Sequence, residues 1–82
     1  MEKIKIKEKV IECVKEMTYL EEISEENNLK NDLGIDSVDT IDLIMALENK
    51  FEIEFNDSDI SLENFRYVKN IIDLIEGILN NE

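Results

Sequence analysis

Ser37 is the residue of this chain whose surroundings ask for a chemical explanation. It stands in Gly34-Ile35-Asp36-Ser37-Val38-Asp39-Thr40, where an irregular stretch gives way to a run without Gly or Pro from Val38 to Phe51. The turn-formers Asn27, Asn28, Asn31, Asp32 and Gly34 come before it. Apolar residues after it recur at helical spacing, so a helix must start here. Asp36 is placed as the N-cap, because a short side-chain oxygen there can accept from the free backbone N–H groups of the first turn. Asp39, three positions on, can reach back to the Asp36 N–H and close an acidic capping box. Ser37 then becomes the first helical residue, with a hydroxyl that the fold does not use and that faces solvent. Two readings compete: a serine that merely begins a helix, or a hydroxyl kept free for modification. An anionic group on that hydroxyl would lie at the positive end of the helix, a favourable place for negative charge, while the carboxylates nearby oppose it.

Other chemistry finds little to work with. The chain has no His and one Cys, which excludes an internal disulfide, Cys/His zinc sites and His-based triads. Cys13 reads as a small residue at the core edge. The acids are numerous but solvent-facing, with nothing to push one carboxyl away from its neighbours. Neither Asn28–Asp39 nor Asp57-Ser58-Asp59 meets the order of ligands a calcium loop requires. The expectation is a protein that is not an enzyme and holds no structural metal.

Composition narrows the class further. Eighty-two residues, 43% hydrophobic with five aromatics, predict one domain, residues 1–82, with an aliphatic core. Two Gly and no Pro favour helices. The formal net charge of −12 argues against nucleic acid and against anionic membrane surfaces. No run is long enough to span a bilayer, and neither a span nor a secretory signal is apparent, so a cytoplasmic monomer is expected. The charge is uneven: residues 1–15 carry five lysines against three glutamates, whereas residues 16–64 carry fifteen acids against Lys30 and Lys50. The acidic field is thus centred on the segment holding Ser37, and partners with basic patches would be drawn to it.

The elements that must position Ser37 follow from periodicity. A first helix is predicted from about Lys3 to Tyr19, with Ile6, Val10, Cys13 or Val14, and Met17 in one stripe. The period-two run Lys3–Lys7 is overruled as a strand, since nothing pairs with it. Leu20 to Ile35 reads as a long acidic loop pinned by Ile23, Leu29 and Leu33, with one helical turn near Glu25 to Leu29. On the second helix, at about 100° per residue, Thr40, Leu43, Ile44, Leu47 and Phe51 share one face. Ile53 and Phe55 belong to an extended connection. A short third helix is predicted around Asp57 to Leu62 and a last one from about Tyr67 to Leu79. The fold class is all-α: a small four-helix bundle of three main helices plus one short helix.

The run Asp32-Leu33-Gly34-Ile35-Asp36-Ser37-Val38-Asp39-Thr40-Ile41-Asp42-Leu43-Ile44-Met45-Ala46-Leu47-Glu48 closely resembles the prosthetic-group site of acyl carrier proteins. The resemblance runs with few breaks from Leu29 to Phe55. It implies that Ser37, within the Asp36-Ser37 motif, carries a 4′-phosphopantetheine arm on whose thiol acyl chains ride as thioesters. The partners implied are a phosphopantetheinyl transferase and the acyl-loading and chain-elongating enzymes of fatty-acid or polyketide synthesis. Departures are Val38 for the family's usual Leu or Met, Leu29 for Phe, and Tyr67 for a frequent Thr that would cap the last helix.

Two surfaces acquire meaning from this. Val38, Ile41 and Met45 form a second stripe beside Asp39, Asp42 and Glu48; buried arc and docking face are the alternatives, and the resemblance favours docking. Leu43, Leu47, Phe51, Ile60, Val68 and Ile72 are expected to surround an interior that could open for an acyl chain. The nearest rival is an aminoacyl or D-alanyl carrier using the same arm, to which Asn64–Ile72 is somewhat similar. A rival from another class is a non-carrier acidic helical interaction domain.

Overall fold

The computed structural model describes residues 1–81. In chain order the elements are α1 (Lys3–Thr18), α2 (Ser37–Phe51), a 3-10 turn (Asp57–Asp59) and α3 (Val68–Asn80). α1 packs against both α2 and α3, while α2 and α3 approach each other least. Ile6, Val10, Cys13 and Val14 of α1 face Leu43, Ile44, Leu47 and Phe51 of α2 and Val68, Ile71, Ile72 and Ile75 of α3 across one core. At about 1.5–3 kcal/mol for burial of a large aliphatic side chain, this core is the main favourable term in so small a fold. The alternating Lys3–Lys7 run is helical, as expected: Ile6 is buried in the core shared with the other helices, while Ile4 stays on the exposed side.

Loop residues complete the interior. Leu29 and Ile35 are buried, with Ile23 and Leu33 packed half-buried against the core. Phe55 and Phe65 meet edge-to-face, ring centroids 5.8 Å apart at 84°. The α1–α2 loop is therefore anchored despite its length. Its helical turn lies slightly later than the predicted Glu25–Leu29: Asp32 N–H donates to Asn28 O and Gly34 N–H to Lys30 O, at 3.0 and 3.1 Å. Ile35 N–H then donates back to Leu29 O at 2.9 Å, closing the segment just before α2. Gly34 sits there at φ +70°, where a side chain would be strained.

The same loop resolves the capping of α3. Tyr67 has no short side-chain oxygen to offer, yet the free N–H groups of Val68 and Lys69 donate to Asn27 O and Glu25 O at 3.1 and 2.9 Å. Asn70 Oδ1 accepts from Tyr67 N–H at 3.1 Å. Backbone carbonyls from a distant segment thus replace the missing cap, and a short antiparallel bridge between Asn28 and Tyr67 fastens loop to helix.

The all-α arrangement of three main helices plus one short element stands, but the short element does not reach from Asp57 to Leu62. It is only the 3-10 turn Asp57–Asp59; the backbone leaves the helical region at Ile60 (φ −88°, ψ 86°). Three residues cannot nucleate an α-helix without an apolar face to bury. α1 likewise ends at Thr18, one residue early, with Tyr19 left-handed at φ 62°.

Charge pairs tie the helices at the surface. Lys50 of α2 reaches Glu12 and Glu16 of α1 at 3.0 and 3.2 Å, and Lys3 of α1 reaches Asp73 of α3 at 2.8 Å. The hydrogen bond to Glu12 is the chief reason the Lys50 ammonium holds its proton more tightly than usual. Burial pushes the Cys13 thiol up, which leaves it a core residue rather than a reactive one.

Candidate functional site

The start of α2 has the geometry its sequence dictates. Asp36 is extended (φ −83°, ψ −172°) and its Oδ1 accepts from Asp39 N–H at 2.9 Å; Asp39 Oδ2 accepts from Asp36 N–H at a longer 3.4 Å. Thr40 Oγ1 donates to Asp36 O at 2.8 Å. Ser37 is the first helical residue, is exposed, and takes no part in these cap bonds. A hydroxyl presented in this way fits a phosphodiester-linked group: its oxygen is reachable and the positive end of the helix is directly behind it. Asp36→Ala is expected to cost about 1 kcal/mol of stability through loss of the cap. Urea denaturation checks it; a stability equal to the parent's would contradict the capping role.

Beyond the cap, α2 is buried on one side only. Val38, Ile41 and Met45 are 68%, 59% and 57% exposed, so they are not the flank of a wide buried arc. Asp42 beside them is exposed and Asp39 half-buried. Apolar side chains on a helix that already buries its other face, rimmed by carboxylates, have the composition of a transient interface. Glu48 differs from its neighbours: its Oε2 accepts from Phe55 N–H at 2.9 Å, holding the connection that carries Phe55 into the core.

Of the residues expected around a shared interior, Leu43, Leu47, Phe51, Val68 and Ile72 are buried together. Ile60 is not among them. It is 46% exposed, because the 3-10 turn ends before it and the extended backbone carries it outward; that expectation is corrected.

Sequence reasoning missed a cleft of about 380 Å³ beside Ser37. Asp36, Ser37 and Thr40 line it together with Lys30, Leu62 and Arg66, while Ile35 and Phe65 contribute apolar surface. The available signal was charge: between residues 16 and 66 the only cations are Lys30, Lys50 and Arg66. No helix among the described residues is long and apolar enough to cross a membrane. Nor does any group of three carboxylate or thiol side chains among those residues gather closely enough to hold a metal ion.

A family model described as "Phosphopantetheine attachment site" matches residues 8–75. A protein of Coprothermobacter proteolyticus named "Acyl carrier protein" is 37% identical over 81 residues, covering 96% of this chain and 96% of that one. Another of the same name, from Prochlorococcus marinus, is 44% identical over 59 residues, 70% of this chain and 74% of that one.

Proposed function

The chain belongs to the acyl carrier protein family, a family of carriers rather than catalysts whose prosthetic group is 4′-phosphopantetheine, and on that premise we propose that Ser37 is its attachment point. The observation that carries the assignment is the exposed Ser37 hydroxyl at the first position of α2, left out of the cap that Asp36 and Asp39 form. When bound, the arm supplies a thiol on which an acyl group is held as a thioester. Everything else falls to the chain's own residues.

Asp36 and Asp39 rigidify the turn, so that the Ser37 oxygen meets the transferase in one orientation. One oxygen of each is engaged by a backbone N–H group, and the base that takes the Ser37 proton is supplied by the transferase. Val38, Ile41 and Met45 offer the apolar centre of the docking face; Asp39, Asp42 and, at its margin, Glu48 form an acidic rim that attracts basic partner surfaces. The buried side chains of Leu43, Leu47, Phe51, Val68 and Ile72 would give any acyl chain entering the bundle an apolar environment.

The cargo proposed is that of fatty-acid or polyketide synthesis. It is tested on protein purified from its native host, by intact mass with fragmentation that ejects the arm and its cargo. Acyl groups built from carbon chains are expected. An amino acid on the thiol would contradict the synthesis assignment and identify an aminoacyl carrier; no arm at all would contradict the carrier assignment itself.

A further inference from the structure

The cations outside α1 are unevenly employed. Lys50 and Lys69 are paired with carboxylates at 3.0–3.5 Å, whereas Lys30 and Arg66 form no ion pair among the described residues. In a chain of net charge −12 this is unexpected. Both border the cleft that Ser37 also lines. Asn28, Asn31, Asp36 and Thr40 add polar lining, and Leu62, 88% exposed, is among its residues. Nothing in the fold accounts for an exposed leucine beside two unpaired cations. Arg66 serves the fold through its backbone carbonyl, which accepts from Leu29 N–H at 2.9 Å, and that bond makes no demand on the guanidinium.

We propose that this cleft seats the near end of the prosthetic arm, with Lys30 and Arg66 taking the charge of the phosphodiester and Leu62 and Phe65 lying against the uncharged chain beyond it. The seat rests on attachment at Ser37. A phosphodiester there carries one negative charge and has two ways to turn. Along the exposed side of α2 it meets Asp39 and Asp42; toward the cleft it meets two cations against one carboxylate, Asp36, whose Oδ1 already accepts from Asp39 N–H. Within a Debye length of roughly 10 Å at ordinary salt both fields are felt, and they act in the same direction. A guanidinium can bind phosphate oxygens in a forked pair, which fixes orientation as well as position. The consequence for function is a division of surfaces: the arm rests on one side of α2, and Val38, Ile41 and Met45 stay uncovered for a partner.

The test uses isotope-labelled chain loaded by a phosphopantetheinyl transferase with coenzyme A, with intact mass recorded for every sample. Loading is expected to shift the amides of Asn31, Ile35, Leu62 and Arg66, and to give NOEs from the arm's methyl groups to Leu62 and Phe65. The ³¹P resonance is expected to move as salt rises from about 50 mM to about 500 mM. In the double variant Lys30→Gln/Arg66→Gln, whose substituted side chains are both exposed, those NOEs are lost and the ³¹P resonance stays at its high-salt position. An arm present by mass but giving NOEs to Val38, Ile41 or Met45, or none at all, overturns the seat alone. So does a double variant whose spectra match the parent's. A wild-type chain that gains no arm overturns the attachment, and the seat with it.

Discussion

Ser37→Ala is expected to fold like the parent and to gain no arm when incubated with transferase and coenzyme A. The loss should be complete, because the ester can form only on a hydroxyl and a methyl group offers none. The stability change should lie within about 0.5 kcal/mol, as for exposed positions outside special features; alanine is also the best helix former, and Ser37 makes no cap bond that the substitution would remove. The two readouts separate chemistry from folding. A variant that melts with the parent and stays at the apo mass locates the attachment. A variant loaded as fast as the parent refutes it.

The second large effect concerns the docking face. Asp42→Lys combined with Met45→Glu replaces an acidic rim residue and an apolar centre residue that are both exposed. Thermal melting should hardly change, since neither side chain belongs to the core. The kcat/KM of the transferase should fall roughly 100-fold, the scale expected when a central interface residue and a steering charge are lost together. Asp42→Lys alone should lose part of its effect at high salt, whereas Met45→Glu should retain most of it. Loading kinetics checks both, and an unchanged kcat/KM in the double variant would contradict docking on this face.

Much of this was legible because it is local. The cap at Asp36, the buried stripe Leu43-Ile44-Leu47-Phe51 and the second stripe Val38-Ile41-Met45 all follow from spacing within one helix. What the sequence left hidden depends on segments far apart along the chain. The capping of α3 by Asn27 O and Glu25 O replaces an oxygen that Tyr67 lacks, and no local pattern announces it. The placing of Ile60 turned on whether the stretch after Asn56 forms an α-helix or a single 3-10 turn. Its cap residues permit both, and the lack of an apolar face decides for the turn. Glu48 has the spacing of a rim carboxylate, and only the fold brings the Phe55 N–H to its Oε2. Lys30 and Arg66 are ordinary surface residues in sequence; only the fold places them on the same cleft as Ser37.

The carrier role depends on where the arm is joined. The chain has four serines, Ser24, Ser37, Ser58 and Ser61, and peptide mapping of the loaded protein by tandem mass spectrometry distinguishes them. The modification is expected on the peptide containing Ser37 and on no other. Its appearance on Ser24, Ser58 or Ser61, with Ser37 unmodified, would contradict the central claim.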